Sequence, residues 1–163
     1  MNTRIQLTVA AALVATALTS LAQSSGNITI SGTVANNTSI TVTPAADYNN
    51  LDIAAGETDK VVAVANERSN KRDGYTVELQ SANAGAGTQA YLGGTGGNTD
   101  VVNYSMKYNG NAVTLSGGKA TVTNVAARTP GTGVDKNLSV TLAAAWVNTD
   151  TYSDTLTLTI AAK

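Results

Sequence analysis

Three residue types are missing from this chain, and each absence removes a class of chemistry. The 163 residues include no cysteine, no histidine and no phenylalanine. Without cysteine, an exported domain has no disulfide and depends on its core, on a metal or on association for stability. Without histidine, it lacks the commonest general base and the commonest transition-metal ligand. No carboxylate pair has a spacing that suggests a cleft, so we expect no enzyme, no catalytic residue, no metal and no cofactor.

Charge is also scarce, and it is not concentrated in the sequence. Ten basic residues face eleven acidic ones. Without a basic patch the chain is not expected to bind nucleic acid. The glycine-rich run at residues 93–97 lacks the Gly-Lys-Ser/Thr ending of a phosphate-binding loop, and no helical pattern follows it. We therefore expect no small-molecule substrate.

The first 22 residues have the features of a secretory signal peptide. Arg4 supplies a positive charge, residues 5–18 form an apolar run, and Ser20 and Ala22 place small residues at the cleavage site. The apolar run is too short and too rich in alanine and threonine to indicate a membrane anchor. The sequence thus predicts export, with cleavage after Ala22 and one domain in the remaining chain.

Short alternating segments dominate the rest of the sequence. We predict strands at residues 39–44, 60–65, 75–80, 101–108, 112–115, 119–125, 137–146 and 152–161. Asn109-Gly110 between two alternating runs predicts a tight hairpin. Residues 66–74 are expected to form a charged loop, and residues 81–100 a mobile surface loop. No segment has a helical period, so the predicted fold is a single all-β antiparallel sandwich.

Several groups of polar residues could be taken for binding sites, but turns or solvated surface explain them better. Asp47, Asn49, Asn50 and Asp52 lack the glycine and the distal glutamate of a calcium loop, which favours a side-chain-capped turn. For the same reason, a turn is favoured over a calcium site at Asp150 and Asp154. We expect Arg68, Lys71 and Arg72 to lie in a solvated loop.

Residues 27–34 alternate strictly. Ile28, Ile30, Gly32 and Val34 fall on one face, and asparagine, serine and threonine fall on the other. The ordinary interpretation is the first strand of a complete sandwich. The alternative is a strand that completes a neighbouring molecule.

Three stretches favour the second interpretation because they resemble subunits of chaperone–usher pili, especially the archaic branch related to spore coat U proteins. They are the segment Asn27-Ile-Thr-Ile-Ser-Gly-Thr-Val34 followed by the strand at 39–44, the segment Asp73-Gly-Tyr-Thr-Val-Glu-Leu79 followed by Ser81-Ala-Asn83, and the ending Thr151-Tyr-Ser-Asp-Thr-Leu-Thr-Leu-Thr-Ile160. The resemblance covers the layout of the whole chain after the signal peptide. One departure is the absence of cysteine, since many such subunits carry a disulfide near the first strand.

The resemblance implies an immunoglobulin-like sandwich that lacks its last strand. It divides the chain into a signal peptide (1–22), a donor-strand extension (23–37) and a pilin domain (38–163). It also implies two sets of site residues: a donor row of Ile28, Ile30, Gly32 and Val34, and an acceptor groove lined by Ile40 and Val42 on one side and by Leu156, Leu158 and Ile160 on the other.

The partners implied are neighbouring subunits of the same pilus, a periplasmic chaperone and an outer-membrane usher. The expected product is a cell-surface fimbria, secreted through the periplasm, that serves adhesion or biofilm formation. The alternative is a monomeric secreted sandwich, acting as an adhesin or coat protein that binds glycans through residues 81–100.

Overall fold

The computed structural model describes residues 25–163. The predicted signal peptide and residues 23–24 of the predicted extension lie outside the described residues. The chain divides into two units, residues 1–33 and residues 34–163. In the described part of the first unit, residues 25–33 are exposed and form no strand, turn or helix. No helix within residues 25–163 has the length and apolar character needed to cross a membrane.

Residues 34–163 form two antiparallel β-sheets. The strands are β1 (Thr38–Pro44), β2 (Glu57–Ser69), β3 (Tyr75–Ser81), β4 (Ala90–Gly94), β5 (Val101–Tyr108), β6 (Asn111–Val113), β7 (Lys119–Val125), β8 (Val134–Leu142), β9 (Tyr152–Ser153) and β10 (Leu156–Ala162). The larger sheet has the order β1-β2-β8-β5-β4-β9, with β6 beside β5, and the smaller has the order β10-β3-β7. The predicted all-β antiparallel sandwich is therefore confirmed.

Alternation in the sequence becomes burial in the core. On β5, the buried residues are Val102, Tyr104, Met106 and Tyr108, while the residues between them face outward. The predicted hairpin after β5 is also confirmed. Asn109 and Gly110 have φ angles of 50° and 80°, the left-handed conformation that a two-residue hairpin turn requires at both positions.

The prediction of a charged loop at residues 66–74 is wrong for its first four residues. β2 continues to Ser69, and Glu67 points inward with no exposed surface. A carboxylate is tolerated there because partners on other strands saturate it: the hydroxyls of Tyr75, Tyr108 and Thr123 donate to it at 2.9, 2.6 and 2.8 Å, and Lys136 Nζ lies 3.1 Å away. Arg68, the next residue on the strand, is exposed as expected, but on a strand and not in a loop.

The prediction of a surface loop at residues 81–100 is also wrong in part. Residues 90–94 form β4, and Ala84, Ala90 and Leu92 are buried in the core. Small residues allow this segment to pack closely, and β4 gains its ladder from β5 and β9. β5 is the next strand along the chain, whereas β9 is distant in the sequence.

Two predicted strands are interrupted near the C-terminus. β8 ends at Leu142, and beyond it Ala145 and Val147 contact the core while Trp146 is fully exposed, so the alternation shifts by one residue. The shift accompanies a hydrogen bond from Ala145 N to Ile53 O (2.9 Å). The predicted strand at 152–161 divides into β9 and β10 because the chain crosses from the larger sheet to the smaller one.

Candidate functional site

The candidate site is the seam where the two sheets meet at β1 and β10. β1 pairs only with β2, and β10 pairs only with β3, so each is the terminal strand of its sheet. The two strands run side by side, with Cα atoms within 8 Å of each other, but they form no ladder. Among residues 25–163, no strand pairs with the outer edge of either. Such edges present a row of free N–H and C=O groups to another chain.

Burial falls sharply at this seam. On the smaller sheet, Leu158 and Ile160 stand opposite Leu79 and Val77, which have no exposed surface, yet they are themselves only half-buried. On the larger sheet, Val42 is 44% exposed beside Ala65, which is completely buried. Cross-strand partners share one face of a sheet, so the apolar interior extends to β1 and β10 and is uncovered there.

A cavity of about 480 Å³ opens at this position. Three of the five predicted groove residues line it: Val42 from β1, and Leu156 and Leu158 from β10. Ile40 and Ile160 are half-buried on the same two strands but are not among the lining residues. The cavity is lined by the second half of β1 and the first half of β10, so these two halves lie next to each other. The two strands therefore run in opposite directions.

The sequence did not indicate the remaining walls of the cavity. They include Tyr48 and Leu51 from the loop after β1, Leu92 from β4, and Tyr104 from β5. Tyr104 lies on the predicted strand at residues 101–108, but the sequence carries no signal that this particular ring reaches the seam. Leu92 was missed because its segment was predicted to be a loop.

Asp154 fixes one end of the seam, at the point where the chain changes sheets. Its carboxylate accepts hydrogen bonds from Ser81 Oγ (2.6 Å), Tyr104 OH (2.6 Å) and Asn83 N (3.0 Å). Burial, followed by the hydrogen bond to Asp154, raises the pKa of Tyr104. The phenol therefore remains a proton donor, and β10 begins from a rigidly held position.

The predicted donor residues are exposed to solvent and do not pack in a core. Ile28, Ile30 and Val34 are 89%, 92% and 90% exposed, and Gly32 is exposed as well. Residues 25–37 contain no strand, and β1 begins at Thr38. Single exposed apolar residues are common on proteins, but three in strict alternation on one unpaired segment are not explained by local packing.

Asn70 holds the short link between this segment and β1. Its side-chain amide donates to Ala35 O (2.7 Å), and its side-chain oxygen accepts from Asn37 N (2.8 Å). Its backbone N–H donates to Asn37 O (3.0 Å). The chain therefore leaves the sandwich from a fixed point at the beginning of β1. The sequence alone gave no sign of this contact, because 33 residues separate Asn37 from Asn70.

The other candidate polar groups cap a local turn or join two loops. Asp52 Oδ1 accepts from Ala55 N (2.9 Å), which is a side-chain-capped turn. Asp150 accepts hydrogen bonds from Thr95 Oγ1 and Asn98 Nδ2, and these and further backbone hydrogen bonds lower its pKa to about 2. Among residues 25–163, no three acidic side chains are grouped closely enough to hold a metal ion.

No protein family model matches the sequence, and a search of curated proteins finds no significant match.

Proposed function

We propose that this protein is a structural subunit of a surface fibre assembled by donor-strand exchange. The observation that carries the proposal is the coexistence, in one chain, of an uncovered apolar seam and an unpaired alternating apolar segment. Residues 27–34 of one molecule would enter the seam of the next and complete an immunoglobulin-like sandwich. A periplasmic chaperone and an outer-membrane usher would deliver the subunits, and the fibre would serve adhesion or biofilm formation.

Length and pattern support this pairing. β1 and β10 each have seven residues, and the donor row from Ile28 to Val34 spans seven residues as well. At about 3.3 Å per residue, the segment extends along the whole seam. Its apolar face would cover Leu156 and Leu158, and its backbone would supply a ladder to the free edge of β10. Gly32 has no side chain, so the donor backbone could approach the seam closely at that position.

Geometry supports insertion into another molecule. A donor that pairs antiparallel with β10 runs parallel to β1, because β1 and β10 run in opposite directions. To fill its own seam in that direction, the chain would have to return along β1 from Val34 to Thr38. Four residue steps reach about 14 Å, whereas the seven residues of β1 extend over about 20 Å. A neighbouring molecule has no such restriction.

The decisive experiment compares two substitutions on adjacent residues of the donor segment. Ile30→Asp removes about 1.5–3 kcal/mol of apolar burial and introduces a charge into the seam, whereas Thr29→Asp places the same charge on the opposite face. We expect the full chain and Thr29→Asp to form ladders on unboiled denaturing gels that collapse to monomer on boiling. Ile30→Asp should remain monomeric.

The groove side provides a second matched pair. Leu158→Asp should block assembly, and Thr159→Asp, on the outer face of the same strand, should not. Equal ladders from all four variants would refute the proposal. A stable wild-type monomer that never forms ladders would favour a monomeric adhesin or coat protein.

A further inference from the structure

The two ends of the sandwich carry opposite charge. The strand registers place the beginning of β1, the 70–74 loop, the 126–133 loop and the end of β10 at one end, here called the Thr38 end. They place the 45–56, 95–100 and 143–151 loops at the other, here called the Pro44 end.

Charge is divided unevenly between the two ends. At the Thr38 end, five basic residues outnumber two acidic ones: Arg68, Lys71, Arg72, Arg128 and Lys163 against Asp73 and Asp135. At the Pro44 end, seven acidic residues outnumber two basic ones: Asp47, Asp52, Glu57, Asp59, Asp100, Asp150 and Asp154 against Lys60 and Lys107. The four remaining charged residues within residues 25–163 pair with each other between the ends, as Glu67 with Lys136 and Glu78 with Lys119.

The Pro44 end also bears the only tryptophan of the chain. Trp146 is 101% exposed, and the backbone beside it is fixed by the hydrogen bond from Ala145 to Ile53. A fully solvated indole is an unusual surface residue in a folded domain, and tryptophan is enriched at the centres of protein interfaces. The indole face also attracts the cationic side chains of lysine and arginine.

We propose that the acidic Pro44 end of one subunit docks against the basic Thr38 end of the next, in addition to the inserted strand. This inference rests on the proposed function. A donor parallel to β1 brings its Val34 to the Pro44 end of the acceptor. Only residues 35–37 separate Val34 from the donor's own β1, so its Thr38 end follows within about 14 Å. Asn70 shortens this link further by binding Ala35 and Asn37.

Charge also selects between the two directions in which a donor strand could enter. The donor's domain always presents its basic Thr38 end, because the extension leaves from there. Entry parallel to β1 places this end against the acidic Pro44 end of the acceptor. Entry in the opposite direction would place it against another basic end, and like charges across a contact disfavour it. The contact is heterologous, so repeating it extends a fibre without closing a ring.

Trp146 allows docking to be measured separately from strand insertion. The acceptor is the full chain with Ile30→Asp, which cannot donate. The donor is the full chain with Leu158→Asp, which cannot accept, and with Trp146→Phe, so that only the acceptor fluoresces in the tryptophan band. A peptide of residues 25–36 serves as a donor without a domain. It contains no charged side chain, so its insertion has no side-chain contribution to salt dependence.

We expect both the peptide and the donor chain to form a complex with the acceptor on size-exclusion chromatography. Only the donor chain should shift the Trp146 emission to shorter wavelength and protect it from acrylamide. Insertion of the donor chain should be about tenfold faster at low salt than at high salt, the range expected for steered association. Insertion of the peptide should not change.

Charge reversal completes the test. A donor that also carries Arg72→Glu and Arg128→Glu should lose the salt-dependent rate and the shift in emission. An acceptor with Asn49→Lys and Asn50→Lys should restore part of both. If the donor chain inserts but leaves Trp146 as exposed as the peptide does, end-to-end docking is wrong and donor-strand exchange stands. If neither the peptide nor the donor chain enters the seam, both proposals are wrong.

Discussion

Glu67 offers the sharpest test of how this sandwich is held together. The residue lies on β2 with no exposed surface, and its four partners come from β3, β5, β7 and β8, which belong to both sheets. Glu67→Ala would leave Lys136 as a buried charge without its counter-ion, and three hydroxyls without their acceptor. Loss of one partner of a buried ion pair costs about 3–5 kcal/mol. Domains of this size are stable by only about 5–15 kcal/mol, so the variant should be close to unfolding.

The assay is urea unfolding of the full chain, followed by far-ultraviolet circular dichroism. The matched control is Glu78→Ala, which breaks the pair between Glu78 and Lys119 on the surface, where both side chains are 45–47% exposed. That loss should cost less than about 1 kcal/mol. A double variant, Glu67→Leu with Lys136→Met, should recover much of the stability, because no unpaired charge remains. Equal and small losses from Glu67→Ala and Glu78→Ala would refute this account of the core.

A spectroscopic signature accompanies the stability effect. Burial, followed by the hydrogen bonds to Glu67, raises the pKa of Tyr75 and Tyr108. Removal of the carboxylate withdraws one of these causes. In a variant that remains folded, such as Glu67→Gln, we expect phenolate absorbance to appear at lower pH than in the unmodified chain.

Three further perturbations follow from particular contacts. Gly118→Ala should destabilise the fold by at least about 2 kcal/mol more than Gly117→Ala in urea unfolding: both residues have positive φ, but only at 118 would a Cβ overlap the carbonyl oxygen of Gly85. Asn70→Ala should leave the fold intact but slow assembly, because the link to the donor segment loses its fixed exit, and unchanged ladder formation would contradict this role. Asp150 has its pKa lowered to about 2, so its contribution to stability is present above the unfolded value of about 3.9 and is lost as the pH falls towards 2; Asp150→Asn should flatten unfolding curves measured across that range.

Strand identity could be predicted from the sequence wherever inward and outward residues differ in chemistry. β5 is the clearest case, since four apolar residues alternate with polar or small ones and an Asn-Gly turn follows. Prediction failed where an inward residue is polar, as at Glu67, or where the residues are small, as on β4. At Glu67 the residue's own character does not indicate burial, and three of its four partners are distant in the sequence. On β4 the residues are too small to show an alternating apolar pattern, although its partner β5 is the next strand.

The candidate site shows the same division. The alternating apolar row of the donor segment can be recognised from the sequence alone, because it is a property of eight consecutive residues. That Val42 and Leu158 meet at one cavity, that Asp154 anchors its end and that Asn70 holds the exit of the chain depend on residues brought together by folding.

The sequence by itself determined that this chain forms antiparallel strands, where most of them lie, and that residues 27–34 carry an apolar face. These follow from local periodicity, since alternate side chains of a strand point to opposite sides. Only the tertiary structure decided which strands end each sheet, which apolar faces stay uncovered, and how charge divides between the two ends. The physical reason is that sheet order and charge distribution arise from pairings between distant segments, and a local pattern is equally compatible with an interior strand and an edge strand.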